Sequence, residues 1–346
     1  MAGLEAKGTR TDLYAPASFS IEPLPYLPDP KSLRMFNVDI RAKTELRADI
    51  RAIRHLSNEL NQNGLPSIIH SHGYRAGLVG CYAAKKINLP AIVTAHNLPP
   101  TGKLQRIILA MVLKRCTCVV AVSQAIAHEL KSIVPFNTSI RVIPNGIHLE
   151  SYMYTVAIDR KALVIAPNDF VVMYVGRLSP EKGVPNLMTA FNKFSKDVPD
   201  CILLIVGEGP SRPELERQSS GSSRVRFLGT RTDIPGLLAC SDVVVVPSLA
   251  EGQGLVALEA MASARAVIAS AVGGLCESIK DGETGILVTP GDPNEIVTQL
   301  TALYRDADKR RLIGAMAQQH AAANFSLERM IGATSQLYTK SVLDCI

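Results

Sequence analysis

Two glutamates flank a glycine-rich turn in the segment SLAEGQGLVALEAMA, residues 248–262. Apolar residues recur at helical spacing from Leu255 onward, which predicts a helix that begins near Gly254, with Glu251 before it and Glu259 inside it. The free amide N–H groups of a helix start bind anions such as phosphate. An ionised carboxylate only accepts hydrogen bonds, and its two oxygens suit paired hydroxyls. The segment therefore predicts a phosphate site with sugars on both sides, although a solvated glutamate beside an ordinary helix-start turn explains these residues equally well.

Two cations lie in the segment RLSPEKG, directly after the apolar run FVVMYVG. Arg177 offers a planar fork of donors and Lys182 a point charge, so together they would neutralise a diphosphate. The alternative is that Glu181 pairs with one of them at the surface. A weaker signal follows in IVGEGP, where Gly207 and Gly209 are more typical of a turn than of a phosphate loop.

Polar residues also follow the apolar runs in the first half of the chain. His70 and His72 follow the run SII, His96 follows AIVTA and Asn145 follows RVIP. Because ligands of parallel sheets bind beyond the carboxyl ends of the strands, these residues are candidates for one site. For a lone histidine such as His96, a satisfied turn residue is as good an interpretation as a catalytic group.

The elements that must position these residues are short β-branched runs that alternate with longer helical patterns. The runs are PSIIHSH, PAIVTAHN, TCVVAVS and IRVIPNG in the first half, and FVVMYVGRLS, CILLIVGEGP, VRFLG, DVVVVPS, AVIAS and GILVTP in the second. Runs that are apolar on both faces and joined by helices predict parallel sheets. We therefore predict an α/β fold with two Rossmann-like, doubly wound parallel-sheet domains facing a cleft. The least patterned stretch, residues 148–169, is interpreted as the linker.

The composition excludes several classes of protein. The chain has 346 residues, of which 47% are hydrophobic and 20% charged, a balance typical of globular domains. No apolar run is long enough for a membrane span and the start lacks a signal-peptide core, so a cytoplasmic protein is expected. The seven scattered cysteines show neither a disulfide framework nor zinc-ligand spacing, and the net charge of +6 is too mild to indicate nucleic-acid binding.

One basic stripe lies in the segment RAKTELRADIRAIRHL. Arg47, Arg51 and Arg54 share one face of a predicted helix, which could meet an anionic membrane surface or an acidic acceptor. A solvated helix face is the more common explanation, and Glu45 and Asp49 dilute the stripe. Peripheral contact with the inner face of the membrane is the partner that this charge pattern suggests.

The order of the motifs is more specific than any one of them. HSHG, TAHN, VIPNG, VGRLSPEKG, VGEGP, FLGTRTDIPGLLACSDVVVVPS, EGQGLVALEAMA, VIASAVGGLCESIKDGETGILVTPGD and FSLERM follow one another along the chain. Together they closely resemble the family 4 retaining glycosyltransferases, which have the GT-B fold, from about Leu65 to the C-terminus. We accordingly expect an N-terminal acceptor-side domain over residues 1–150, a nucleotide-sugar donor domain over residues 151–326, and a C-terminal helix, residues 327–346, that returns to the first domain.

The resemblance implies roles for individual residues. Glu251 looks like the first glutamate of the family's E-x7-E motif, which holds hydroxyls of the transferred sugar, and Glu259 looks like the second, which holds the nucleotide ribose. Arg177 and Lys182 look like the pair that grips the donor diphosphate, and His96 resembles the histidine that reaches the reacting sugar. Further candidates are Gly176, Gly252, Gln253, Gly254 and Leu255 on the donor side, and His72 and Asn145 on the acceptor side.

The implied activity is transfer of a sugar from a UDP- or GDP-linked donor to a hydroxyl of a glycan, lipid or small molecule, with retention at the anomeric carbon. Fixed donors aimed at the leaving diphosphate would stabilise the charge that builds there. Neither a metal nor another cofactor is expected. The family's usual description is front-face attack, with the acceptor hydroxyl deprotonated by the departing phosphate. A covalent route would need a nucleophilic carboxylate, for which the motifs offer no clear candidate.

The start of the chain departs from the family pattern. The segment AGLEAKGTRTDLYAP looks like the end of the first helix running into the second strand, so we expect an incomplete N-terminal domain without the first strand and its glycine-rich loop. Two other functions stay open on the sequence: a catalytically weak or inactive GT-B protein that binds nucleotide sugars, and a nucleotide-sugar epimerase. Intact Arg177, Lys182, Glu251, Glu259 and His96 favour a transferase over both.

Overall fold

The computed structural model describes residues 4, 11–16, 34–40, 45–62, 64, 67–134, 138–220 and 222–343. The chain divides into two compact units, a first unit of Met1–Pro144 with Glu328–Ile346 and a second unit of Asn145–Leu327. These divisions fall after residues 144 and 327, whereas the sequence analysis places them after residues 150 and 326. The sequence predicts the end of a helix before Asp12. Of residues 2–10, the structure describes only Leu4, so this prediction lies outside the described residues.

The first unit contains parallel strands and the helices that connect them. Strands β1 (Asp12–Ala15) and β2 (Arg34–Asn37) pair with each other, and β3 (Ile69–His72), β4 (Ala91–Ala95), β5 (Cys118–Ala121) and β6 (Ser139–Val142) form a four-stranded sheet in this order. Its described helices include α1 (Leu46–Gln62), α2 (Tyr74–Lys86), α3 (Lys103–Leu113) and α4 (Gln124–Lys131). Strands β4 and β5 are buried along their whole length, which explains why their sequences are apolar on both faces.

The second unit is built on one six-stranded parallel sheet with the order β12-β11-β10-β7-β8-β9. Its strands are β7 (Phe170–Val175), β8 (Cys201–Val206), β9 (Val225–Gly229), β10 (Val243–Val246), β11 (Ala266–Ser270) and β12 (Ile286–Val288). Its helices are α5 (Glu150–Met153), α6 (Val184–Asp197), α7 (Arg212–Gln218), α8 (Ile234–Cys240), α9 (Leu255–Ala262), α10 (Leu275–Ser278), α11 (Pro293–Arg305) and α12 (Ala307–Asn324). The last helix, α13 (Leu327–Leu343), belongs to the first unit from Glu328 onward. Alternate residues of β7 enter two different apolar clusters, Val172 in one and Val171 in the other, so both faces of the sheet are covered.

The predicted α/β fold with parallel sheets is confirmed, because every apolar run named from the sequence contains a strand. The interpretation of residues 148–169 as a linker is wrong. This stretch contains α5 and the 3₁₀ helix Arg160–Leu163, and Ile158 packs against the core of the second unit. The Arg160 guanidinium pairs with Asp242 at 2.9 Å, and Tyr152 and Ile165 are buried in the same apolar cluster, so both polar and apolar contacts hold the stretch in place.

Strands β7 and β10 are neighbours in the sheet although β8 and β9 lie between them in the sequence. Val243 of β10 is paired with Val172 of β7. Strands β8 and β9 lie between β7 and one edge of the sheet, and strands β11 and β12 lie between β10 and the other edge. The loops of residues 176–183 and 247–254 therefore leave the sheet side by side at a topological switch point, the place where such sheets bind ligands.

Candidate active site

The two loops at the switch point are held against each other by their backbones. Gly183 has a φ of 64°, and a Cβ atom added to it would lie 2.0 Å from the carbonyl oxygen of Pro247. The N–H of Leu249 donates to the carbonyl of Glu181 at 2.8 Å. Only glycine combines this left-handed conformation with such a close approach. The loop that carries Lys182 is thereby fixed beside the loop that carries Glu251.

Lys182 and Glu251 form a partly buried ion pair. The Nζ atom of Lys182 donates to Oε2 of Glu251 at 2.6 Å, and the Ser248 hydroxyl donates to the same oxygen at 3.1 Å. The two charged side chains are 29% and 14% exposed. The alternative partner considered from the sequence, Glu181, is engaged elsewhere. Its carboxylate accepts a hydrogen bond from the Ser179 hydroxyl at 2.5 Å, and this bond is the main reason that the pKa of Glu181 is lowered.

Arg177 is exposed and lies just beyond β7, after Gly176. The hydroxyl of Tyr174 donates to the carbonyl of Arg177 at 2.8 Å, which anchors the backbone of the loop. Burial, and then the nearby carboxylates Glu251 and Glu181, raise the pKa of Tyr174 and keep it protonated as that donor. Within the described part of the chain, the Arg177 guanidinium makes no hydrogen bond or ion pair, so its donors are available to a ligand.

Helix α9 begins at Leu255, as the sequence predicts. Gly254 precedes it with a φ of 82°, and a Cβ atom there would approach the Leu275 side chain to 2.5 Å. Among the residues that the structure describes, no acceptor meets the N–H groups of Gly252, Gln253, Gly254 and Leu255. Free amides at a helix start carry partial positive charge, so this turn is suited to an anion.

A second glycine turn supports the first. Added Cβ atoms would lie 1.9 Å from the Glu251 carbonyl at Gly273 and 2.3 Å from the Gly252 carbonyl at Gly274. The loop after β11 therefore packs backbone to backbone against the turn before α9. Over the described ranges, no group of three His, Cys, Asp or Glu side chains is placed to hold a metal ion.

The side chain of Gln253 is used within the protein. It is 4% exposed, and its Oε1 atom accepts hydrogen bonds from the backbone N–H and the Nδ2 atom of Asn145, at 2.7 and 2.8 Å. Its Nε2 atom donates to the Asn145 carbonyl at 3.3 Å. The structure thus joins Asn145, a candidate for the acceptor side, to the donor turn within the second unit. Only the backbone of Gln253 is left to contact a ligand.

Glu259 lies on α9 and is partly buried. Burial raises the pKa of its carboxyl, and a hydrogen bond from the Tyr152 hydroxyl lowers it by a smaller amount. Tyr152 is 9% exposed and lies on α5, in the stretch misread as a linker. Sequence reasoning therefore missed this partner, because no pattern marked the segment as part of a folded unit.

The candidate histidines His72 and His96 belong to the first unit. Nδ1 of His72 lies 3.0 Å from Nε2 of His96, and the two rings are stacked with their centroids 5.3 Å apart. His70 stacks on His72 and lies 2.7 Å from the Thr94 hydroxyl and 2.5 Å from the Tyr338 hydroxyl. Burial lowers the pKa of each of the three rings, and the neighbouring rings lower the pKa of His70 and His72 further. His96 is therefore a neutral member of a cluster, not a lone histidine.

Comparison with known families gives matches in both halves of the chain. Residues 169–306 match the family described as Glycosyl transferases group 1, and residues 1–151 match Glycosyltransferase Family 4. The D-inositol 3-phosphate glycosyltransferase of Salinispora tropica is 31% identical over 311 residues, which cover 80% of this chain and 64% of that protein. This chain thus spans less than two thirds of that relative. The alpha-maltose-1-phosphate synthase of Mycobacterium tuberculosis is 30% identical over 329 residues, 84% of each chain.

Solved structures agree on the fold. Sucrose-phosphate synthase from Thermosynechococcus elongatus has a TM-score of 0.85 at 24% identity and covers 99% of this chain and 92% of its own. Anabaena HepE, solved in complex with UDP-glucose, has a TM-score of 0.79 at 23% identity and covers 96% of this chain and 99% of its own. The expected GT-B fold with two Rossmann-like parallel-sheet domains is thereby confirmed.

Proposed function

Because the chain belongs to the group 1, family 4 glycosyltransferases, we propose that it moves a sugar from a nucleotide-diphosphate sugar to an acceptor hydroxyl. The observation that carries the proposal is the set of groups at the switch point of the second unit. There, loops that follow neighbouring strands carry the exposed Arg177, the Lys182–Glu251 ion pair and the amides before α9, which meet no acceptor among the described residues. Together they offer hydrogen-bond donors to a diphosphate and acceptors to hydroxyls.

The donor diphosphate is bound, in this proposal, by Arg177, Lys182 and the amides of residues 252–255. As the bond from the anomeric carbon to phosphate breaks, negative charge builds on the diphosphate, and donors already in place stabilise it without reorganisation. An ammonium group has three donors, so Lys182 can contact phosphate while it keeps Glu251. Two cations and a helix start are the basis on which we propose catalysis without a divalent metal or another cofactor.

The two glutamates take the hydroxyls on either side of that diphosphate. Glu251 is held by Lys182 and Ser248 through one carboxylate oxygen, which leaves the other for hydroxyls of the transferred sugar. Glu259 receives a hydrogen bond from Tyr152 in a site where burial disfavours its charge. Paired ribose hydroxyls would donate to the remaining lone pairs and so stabilise the ionised form.

In this proposal His72 serves the acceptor side and His96 reaches the reacting sugar. Because the neutral rings share one hydrogen bond, one ring donates and the other accepts. Among the described residues, Nδ1 of His96 has no hydrogen-bond partner, so it is the ring atom we assign to the reacting sugar. Transfer with retention by front-face attack fits this set, since it needs positioning and charge stabilisation but no covalent nucleophile.

The proposed donor is a UDP-sugar, with a GDP-sugar as the alternative, because the structural neighbour HepE was solved with UDP-glucose.

A cytoplasmic location with contact at the inner membrane face is proposed on the basic face of α1. Arg47, Arg51 and Arg54 are all exposed there. Asp49 does not dilute that face, because it is buried and pairs with Arg75 at 2.6 Å.

The test is a donor screen on the full chain with UDP-glucose, UDP-N-acetylglucosamine and GDP-mannose. We expect one donor to raise the unfolding temperature, and to transfer its sugar to one of a panel of hexose and inositol phosphates with retained anomeric configuration by NMR. The panel follows the names of the relatives. Turnover should persist in EDTA. Absence of donor binding, binding without transfer, or an epimerised sugar from the donor alone would each overturn the proposal, the last two in favour of a binding protein or an epimerase.

A further inference from the structure

Helix α3 of the first unit carries an apolar stripe on the face opposite its core. Leu109 and Leu113 are 4% and 0% exposed, whereas Leu104, Ile107 and Met111 are 70%, 58% and 47% exposed. The last three residues, here named the α3 stripe, follow the i, i+3, i+7 spacing that places them on one side of a helix. Surface helices normally present polar residues on that side, so the stripe requires a partner.

Basic residues lie along the stripe and just beyond its C-terminal end. At 100° per residue, Lys103 and Lys114 lie along one border, and Arg115 follows in the turn after α3. Arg115 is exposed, stacks over the ring of Tyr82 at 4.3 Å and donates to the Met111 carbonyl, which holds its charge beside the stripe. The sequence of α3, KLQRIILAMVL, contains no acidic residue. An apolar face bordered by cations is typical of helices that lie in the interface of an anionic membrane.

We propose that the α3 stripe is a docking surface for the headgroup region of an anionic lipid bilayer. As an 11-residue helix, α3 is about 16 Å long, too short for the hydrocarbon core of about 30 Å, so it lies flat on the surface. Within the ranges described, no helix combines the length and apolarity needed to cross a membrane. Helix α2 packs against both α1 and α3, and α1 exposes Leu46 beside its arginines, so α1 adds charge to the same layer of helices.

Charge argues for a bilayer over a second copy of the chain. A two-fold contact through the α3 stripe would face Lys103, Lys114 and Arg115 of one copy with the same residues of the other. No carboxylate on α3 would offset this repulsion. Anionic headgroups instead supply the opposite charge at the border and an apolar layer below it. This inference rests on and extends the membrane contact proposed above for α1, but it does not depend on the proposed sugar transfer.

The chain has no tryptophan, so Ile107→Trp introduces a single fluorescent reporter into the stripe. With vesicles of phosphatidylcholine and phosphatidylglycerol in equal parts, we expect its emission to shift to shorter wavelength. With phosphatidylcholine alone the shift should be much smaller. Leu312→Trp on α12, at a side chain 61% exposed, is the matched control and should not shift. No shift at Ile107, or equal shifts at both positions, would overturn the proposal.

Cosedimentation of the full chain with the same vesicles measures the contribution of the stripe. Leu104→Gln/Ile107→Gln/Met111→Gln should weaken binding by about tenfold or more, because it removes the inserted apolar side chains. Lys103→Gln/Lys114→Gln should reduce the preference for anionic vesicles, and Leu312→Gln should bind as the unaltered chain. An unchanged unfolding temperature verifies that the variants fold. A concentration-dependent dimer that the triple variant abolishes, without vesicle binding by the unaltered chain, would assign the stripe to a second copy instead.

Discussion

At the level of single residues, Arg177 is the donor that we expect to matter most for the leaving diphosphate. Its guanidinium is exposed at the switch point, while its backbone is fixed by Tyr174. Loss of one such preorganised donor typically costs about 3–4 kcal/mol, or roughly 10² to 10³ in rate. We therefore expect Arg177→Ala to lower kcat for sugar transfer by that factor without lowering the unfolding temperature.

The matched control for this prediction is Arg217→Ala. Arg217 is 76% exposed on α7, outside the two switch-point loops of residues 176–183 and 247–254, and pairs with Glu214 of the same helix. Steady-state kinetics on both variants, with the same donor and acceptor, check the prediction. Equal activity of the two variants would show that Arg177 does not contact the diphosphate.

The Lys182–Glu251 ion pair should stabilise the contact between the two switch-point loops. Both side chains are partly buried, so the removal of one partner leaves the other charge poorly solvated, and each of Lys182→Met and Glu251→Gln should destabilise the fold by about 1–2 kcal/mol. Because the double variant leaves no unpaired charge, it should cost less than the sum of the two. A coupling free energy of about 0.5–2 kcal/mol is expected from urea unfolding of the four proteins.

If the losses of unfolding free energy in the two single variants simply add up in the double variant, the ion pair contributes nothing beyond its separate side chains. Donor titration on the same four proteins provides the second measurement. Both single variants should bind the nucleotide sugar more weakly, since each removes a group assigned to the donor. Unaltered affinity in Glu251→Gln would contradict the assignment of this carboxylate to the sugar hydroxyls.

Residue types at the donor site were predictable, whereas their partners were not. The sequence marks Glu251 and Lys182 because each lies in a short polar segment after an apolar run. Their contact joins positions 182 and 251 and depends on β10 pairing with β7, which no local pattern encodes. For the same reason the Tyr152 hydroxyl at Glu259 and the engagement of Gln253 by Asn145 appear only in the structure.

At the level of elements, the close contact of the two switch-point loops should depend on Gly183. Gly183→Ala meets two penalties, the left-handed φ of 64° and the Pro247 carbonyl at 2.0 Å. The conformation alone costs about 1–2 kcal/mol, and the clash forces the loops apart. We expect a larger loss of unfolding free energy than from conformation alone, together with weaker donor binding because Lys182 moves from Glu251.

Gly282→Ala separates these two penalties. Gly282 also has a positive φ, 74°, but an added Cβ atom would meet open space. The Gly282→Ala variant should therefore lose only the unfolding free energy that the backbone conformation costs, and its donor affinity should be retained. Chemical unfolding and donor titration of both variants check this prediction. Equal losses would show that backbone conformation, and not the contact between loops, explains the role of Gly183.

Local signals account for the elements that the sequence predicts well. The start of α9 at Leu255 follows from Gly254 and the apolar spacing behind it, both of which are short-range features. The strands follow from runs that are buried on both faces. The stretch 148–169 was misread because its helices are short and its buried residues, such as Tyr152 and Ile165, do not recur at a regular spacing, so neither helical nor strand periodicity develops.

At the level of the whole molecule, the proposed donor residues are confined to the second unit. Arg177, Lys182, Glu251 and Glu259 all lie in Asn145–Leu327, and so do the amides before α9. Two sets of alternating strands and helices predict two units from sequence, since each set must bury its own core. The exact division depends on side chains such as Ile158, which pack on one core after a segment without a pattern.

Donor binding should consequently appear in hydrogen exchange as a pattern localised to that unit. At a UDP-sugar concentration about 100 times Kd, binding stabilises the folded state by about 2.7 kcal/mol. The amides of Gly252, Gln253, Gly254 and Leu255 donate no hydrogen bond within the described structure, so their exchange should slow once phosphate accepts from them. Exchange followed by mass spectrometry should show this protection in residues 247–262 and in the neighbouring loop 176–183.

Two further samples assign the protection to its cause. UDP without a sugar should protect residues 252–255 almost as well as the full donor, because the diphosphate is the group that those amides bind. The Arg177→Ala variant at the same donor concentration should show less protection in both loops, since its occupancy falls. Protection by the UDP-sugar that leaves residues 252–255 unchanged would place the diphosphate away from the start of α9 and overturn the proposed arrangement of the donor.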